Sequence, residues 1–187
     1  MFQIPSFGDH PPATTNFCHV EALYSIETGT TLRMAHKLTG TVMNPTSIQR
    51  ASAKMVWALL DDSTIVTFKY YIEHCGKPWM GTLRFLELVS NLGKIVNVKS
   101  ASIGIHKRDP LRQPIFGSDD EKLVELRKYS DFFLRWKESR CKGLSSETFL
   151  SVMLMCDALP LIANHLIAHC GYRFVLLGHL QTDPLES

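Results

Sequence analysis

Apolar residues recur along this chain mostly at intervals of three and four, the spacing of helices buried on one face. Phe17, Val20, Leu23 and Glu27 share such a face, which predicts a helix over Phe17–Glu27, capped by Asn16 and broken at Gly29. Leu32, Ala35 and Leu38 predict a second, short one over Thr31–Leu38. The turn signal Asn44-Pro45-Thr46-Ser47 opens a third, running to about Asp61 with Ile48, Ala51, Met55, Ala58 and Leu59 on one side. Asp61-Asp62-Ser63 ends it and caps a helix over Thr64–His74, and Thr82–Leu92 is another amphipathic segment. Ser118-Asp119-Asp120-Glu121 has the capping-box pattern, ahead of a helix whose apolar face is Leu123, Leu126, Tyr129, Phe133 and Trp136. Ser145 starts the last helix, which Pro160 is expected to kink or restart before Gly171 stops it. One stretch breaks the series: Phe174-Val175-Leu176-Leu177, closed by Gly178, has the length of a buried strand. The expected fold is therefore mainly α with one short strand.

Two stretches lack periodicity. Residues 1–15 hold three of the nine prolines and read as an irregular lead-in with no core. Lys99–Gly117 carries Pro and Gly breaks and the basic cluster Lys107, Arg108 and Arg112. It reads as a solvated surface loop, with phosphate contact as the functional alternative. The chain is thus expected to divide into residues 1–15, a helical part with its loop at 16–117, and helices leading to the strand at 118–187.

Composition narrows the class. With 187 residues, 45% hydrophobic, the chain can hold one core or slightly more. A net charge of +2 is too mild to imply nucleic acid by itself. The five cysteines are scattered without a CxxC pair, as in reduced intracellular proteins. No uninterrupted apolar run approaches the roughly 18 residues of a membrane span, so no membrane is expected.

The chemistry-bearing residues are few. His165 and His169 lie four apart beside Cys170, but without further ligand spacing they read as structural histidines. Neither GxxxxGK[ST], GxGxxG nor GxSxG occurs. Asp183 and Glu186 stand on the first turn of a helix that Pro184 would open. A domain rarely stops one turn into a helix, so the chain reads as cut from something longer. The acids fit a dipole-favoured helix start, or alternatively a metal-binding carboxylate at the mouth of a strand.

The stretch Gln181-Thr182-Asp183-Pro184-Leu185-Glu186 resembles the C-terminal catalytic signature of P-element-type DNA transposases, a family that includes THAP-related members. Lys37-Leu38-Thr39, Asn44-Pro45, Lys54 and Val56 resemble that family's helical insertion, and Glu21-Ala22-Leu23-Tyr24 resembles another of its helices. The resemblance runs from about Phe7 to Ser187. It implies a nuclear cut-and-paste enzyme with an RNase H-like fold interrupted by a helical, guanine-nucleotide-binding insertion. Residues before about Gly117 would then be the end of the insertion, and the later helices and strand an incomplete RNase H-like piece. Glu186 would be the third carboxylate for Mg²⁺, assisted by Asp183, with Lys54 a candidate GTP contact. DNA at transposon ends would be the partner, met by Lys107, Arg108 and Arg112, together with a second copy or a full-length transposase.

The departures decide the expected mechanism. The family's first two catalytic aspartates sit on strands, whereas Asp61, Asp62, Asp119, Asp120 and Asp157 fall in or beside predicted helices. Carboxylates on one turn cannot by themselves hold two metal ions about 4 Å apart. A truncated or domesticated transposase relative, inactive alone, is expected. Its alternatives are a non-catalytic helical module binding DNA, guanine nucleotide or a transposase, and an unrelated all-α interaction protein.

Overall fold

The computed structural model describes residues 2–8, 11–50, 53–139 and 143–180. The protein is mainly helical and divides into two compact units, residues 1–90 and 91–187.

In the first unit the lead-in is ordered. Strands β1 (Phe2–Ile4) and β2 (Ala13–Thr15) pair antiparallel, with Phe2 opposite Thr15 and Ile4 opposite Ala13. Ile4 and Thr15 are buried, which corrects the expectation of a coreless segment. The prolines lie between the strands, outside the ladder whose donors they would have removed. The hairpin leads into helix α1 (Cys18–Thr28) beneath Thr82, whose hydroxyl accepts from the Asn16 amide at 3.2 Å and meets His19 Nδ1 at 2.7 Å. Gly81 permits this approach, because a Cβ there would fall 2.1 Å from the Thr14 carbonyl oxygen.

Val20 and Leu23 of α1 enter a core with Leu38, Phe68, Tyr71, Trp79 and Leu83. Glu27, on the same face, is 2% exposed. Its Oε2 accepts from the backbone amides of Met34 (2.7 Å) and Ala35 (3.0 Å), and its Oε1 from the Tyr71 hydroxyl (3.0 Å). The helix expected at Thr31–Leu38 is accordingly a series of turns, because two of its amides bond to this carboxylate rather than to carbonyls four residues back. Short helices α2 (Gly40–Met43), α3 (Ser47–Arg50) and α4 (Ala53–Leu59) follow. Then come α5 (Asp62–Cys75), ended by left-handed Gly76, and α6 (Met80–Val96), within which the units divide.

Asp61 caps α5 as expected and ties it to Lys37. Burial opposes its ionisation, but hydrogen bonds from Lys37 Nζ (2.8 Å) and from the Ser63 hydroxyl (2.6 Å) and amide (3.1 Å) outweigh that. They hold the carboxyl down at about 2. A lowered folded-state value stabilises above the unfolded value of about 3.9 and is lost as pH falls toward the folded one. Thermal melts between pH 5 and pH 2 should therefore show a steeper acid loss for the wild type than for Asp61→Asn. Parallel curves would remove Asp61 as the source.

The second unit is organised by α8 (Glu121–Glu138) and α9 (Ser146–Cys170), which pack along each other. Phe133 and Trp136 from α8 meet Phe149 of α9, with Leu126 and Phe132 of α8 and Cys156, Leu159 and Ala163 of α9 also buried. The Cys156 thiol is pushed up to about 12 by burial and by neighbouring Asp157, which keeps it protonated. The α8 cap is Asp120, accepting from the Lys122 amide at 3.0 Å, two residues later than the expected Ser118. Ser145 caps α9, and left-handed Gly171 ends it, as expected. Pro160 does not divide it: its missing N–H is tolerated within one 25-residue helix. By length and composition alone α9 is long and apolar enough for a membrane span, a test that the core helix of a soluble protein also passes. Asp157, Asn164 and His165 interrupt its apolar run without offsetting its Leu, Met and Ile content.

The strand expected at Phe174–Leu177 is reduced to a single antiparallel bridge, Ile115 to Val175. Pro114, lacking an amide, follows on the partner side, and Leu177–His179 turns into a 3-10 helix.

Candidate nucleic-acid interface

The basic stretch is folded rather than loose. Helix α7 (Ile103–Lys107) ends at Arg108, which takes a left-handed conformation at φ 51°, and a 3-10 turn spans Pro110–Arg112. A left-handed residue other than Gly costs roughly 1–2 kcal/mol, so its surroundings must hold it. The Asp109 amide donates to the Gly104 carbonyl at 2.9 Å. The Asp109 carboxylate accepts from the Leu111 amide and from Arg112 Nε, both at 3.1 Å, with Lys94 Nζ 3.8 Å away. A Cβ on Gly104 would come within 2.9 Å of the Arg112 backbone, so α7 and the turn are in close contact.

Arg112 is therefore half-buried and held by Asp109. Lys107 and Arg108 are exposed. The segment thus spends its one carboxylate internally and presents cations to solvent, an arrangement that suits phosphate contact. Ile115 anchors the far end in the core, exchanging hydrogen bonds of 2.8 and 3.0 Å with Val175.

Asp183 and Glu186 lie outside the described residues. Among the described residues no group of three or more His, Cys, Asp or Glu side chains could hold a metal ion. His165 and His169 do share a face, as expected from their spacing, with their rings 5.2 Å apart and both exposed. Lys54 is exposed on α4, in the first unit. A cavity of about 370 Å³ in the second unit is lined by Asn91, Leu111, Asp120, Lys122, Glu125 and Tyr129, among others. Lys122 is ion-paired to Asp120 at 2.9 Å.

Among solved structures, the chain is similar to one from the Drosophila P element transposase strand transfer complex. The TM-score is 0.69 at 16% sequence identity. The match covers 89% of this chain and 37% of that one, so the chain spans little more than a third of its neighbour's length. At that identity the likeness is one of fold. No family model matches the chain, and no curated protein matches it.

What sequence reasoning missed here is the tertiary partner of the basic stretch. The signal was available: Ile115 is an isolated β-branched residue between Pro114 and Phe116, and Val175 lies in the apolar run after α9.

Proposed function

We infer that this chain is a P-element-like transposase relative that contributes DNA contacts and does not cleave or join DNA by itself. The observation that carries the reading is a shared fold over 89% of the chain with a protein from a transposase strand transfer complex. The exposed pair Lys107 and Arg108, on a segment fixed by Asp109, supports DNA as the ligand.

In this reading residues 118–187 belong to an RNase H-like piece, and Glu186, assisted by Asp183, is a metal-binding carboxylate. Metal-dependent phosphoryl transfer needs oxygen ligands converging from several elements. The described residues bring together no such set. The exposed Lys54 would be the GTP contact in this reading.

Incubated with Mg²⁺ or Mn²⁺ and transposon-end oligonucleotides, the chain should give no joined product while retaining salt-sensitive duplex binding. Lys107→Ala with Arg108→Ala should weaken that binding and flatten the plot of log affinity against log salt by about two phosphate contacts. Joining activity that Glu186→Gln abolishes would sink the reading, as would duplex binding indifferent to both substitutions.

A further inference from the structure

The Ile115–Val175 bridge fixes what lies beside it. Ile115 and Val175 are 1% and 4% exposed, so the next cross-strand pair, Phe116 opposite Phe174, faces the other way. Those two rings are 59% and 39% exposed, with centroids 6.3 Å apart and planes tilted by 59°. Tyr172, two residues before Phe174, is 56% exposed. Three aromatic rings from two distant segments are thus left in solvent around one bridge.

Their setting is cationic. Residues 99–122 and 171–180 carry Lys99, Lys107, Arg108, Arg112, Lys122 and Arg173 against four carboxylates, of which Asp109 is bound to Arg112, and Asp120, which accepts from the Phe116 amide at 3.4 Å, to Lys122. Arg173 is exposed between Tyr172 and Phe174. One edge is closed to phosphate: Asp119 folds against Gly117, where a Cβ would fall 2.6 Å from its Oδ1. A plain apolar docking face has no use for this excess of cations. Ring faces stack on bases and cations follow the phosphates, but duplex bases are already stacked on each other and cannot reach the rings.

We propose that Phe116 and Phe174, with Tyr172 and Arg173 beside them, form a stacking platform for unpaired bases of single-stranded DNA. This rests on the DNA-binding reading and deepens it, by assigning the aromatic pair to bases while Lys107 and Arg108 meet phosphates. The test is fluorescence anisotropy on the whole chain with a labelled oligothymidine, an abasic strand of equal length and a duplex. Phe116→Ala with Phe174→Ala should weaken oligothymidine binding roughly tenfold or more, leaving abasic and duplex binding and the salt slope unchanged. A Phe174→Trp variant keeps the ring, and its fluorescence should be quenched by oligothymidine but not by the abasic strand, so a poorly folded double variant does not spare the proposal.

Unchanged oligothymidine affinity in the double variant, with duplex binding still dependent on Lys107 and Arg108, would overturn the platform and leave the DNA reading standing. Absence of binding to any DNA would overturn both. Loss of GTP binding in the double variant, with oligothymidine binding intact, would assign the rings to a mononucleotide and also overturn the proposal.

Discussion

Glu27→Ala is expected to destabilise the protein by about 3–5 kcal/mol, through a buried polar cluster rather than through lost apolar area. The carboxylate is 2% exposed and accepts three hydrogen bonds, from the Met34 and Ala35 amides and the Tyr71 hydroxyl. Removing it leaves three donors facing a small void, and each buried unsatisfied donor costs about 1–3 kcal/mol. The lower part of the summed range applies because the 30–38 segment can loosen and let water in. Tyr71→Phe removes one donor and leaves the carboxylate with two, so it should cost only about 1–2 kcal/mol. Glu27→Gln should fall between, since its carbonyl still accepts while its amide faces the Tyr71 oxygen as a donor. Urea titrations followed by circular dichroism and tryptophan emission would rank the three. Glu27→Ala costing under about 1 kcal/mol would mean that the clamp does not hold the segment.

The same residue shows what periodicity conveys. Glu27 sits in register with Phe17, Val20 and Leu23, and that alignment already placed a charged side chain on an inward face. Its partners were not legible, because they lie on a non-helical segment and on α5, 44 residues away for Tyr71. That is also why Thr31–Leu38 reads as a helix from Leu32, Ala35 and Leu38: Ala35 and Leu38 are buried, but the backbone answers to the carboxylate. Local caps were more legible. Asp61, Ser145 and Gly171 each act at or beside their own position, within reach of sequence-local reasoning. Phe174–Leu177 lay at the opposite extreme, because whether an apolar run becomes a strand depends on how many paired residues its partner can offer. Here that partner, flanked by Pro114, offers Ile115 alone.

The candidate interface was half legible for the same reason. Lys107 and Arg108 stand out as charge in the sequence, whereas the sharing of Arg112 with Asp109 depends on the fold of the α7 turn. The pairing of Phe116 with Phe174 spans 58 residues of chain, and only the bridge brings the rings together. The resemblance in Gln181–Glu186 rests on residues outside the described structure, and the likeness to the solved structure is one of fold.

Trp136→Ala carries the largest expected effect in the second unit, about 3–5 kcal/mol. Trp136 is fully buried and lies at the centre of an aromatic group. Phe132 is 5.7 Å from it, Phe133 stacks at 6.1 Å, and Phe149 of α9 meets it edge-on at 5.3 Å and 84°. The chain at Gly143 also closes over it, since a Cβ there would stand 2.8 Å from Trp136 Cζ2. Truncation leaves a void against three other rings that cannot all move in, and it removes the main anchor between α8 and α9. The helices themselves should survive, so the expected signature is retained far-ultraviolet dichroism, enhanced dye binding and a broadened melt. Trp136→Phe, which keeps a ring, should cost clearly less. The comparison also separates structure from recognition at the interface. Ile115 and Val175 are part of the buried set of the same unit, so a loosened core should weaken oligothymidine, abasic and duplex binding together. The exposed Phe116 and Phe174 should affect oligothymidine alone. If Trp136→Ala instead unfolds no more readily than Trp136→Phe, the α8–α9 contact is held elsewhere along its length, with Cys156, Leu159 and Ala163 the next residues to test.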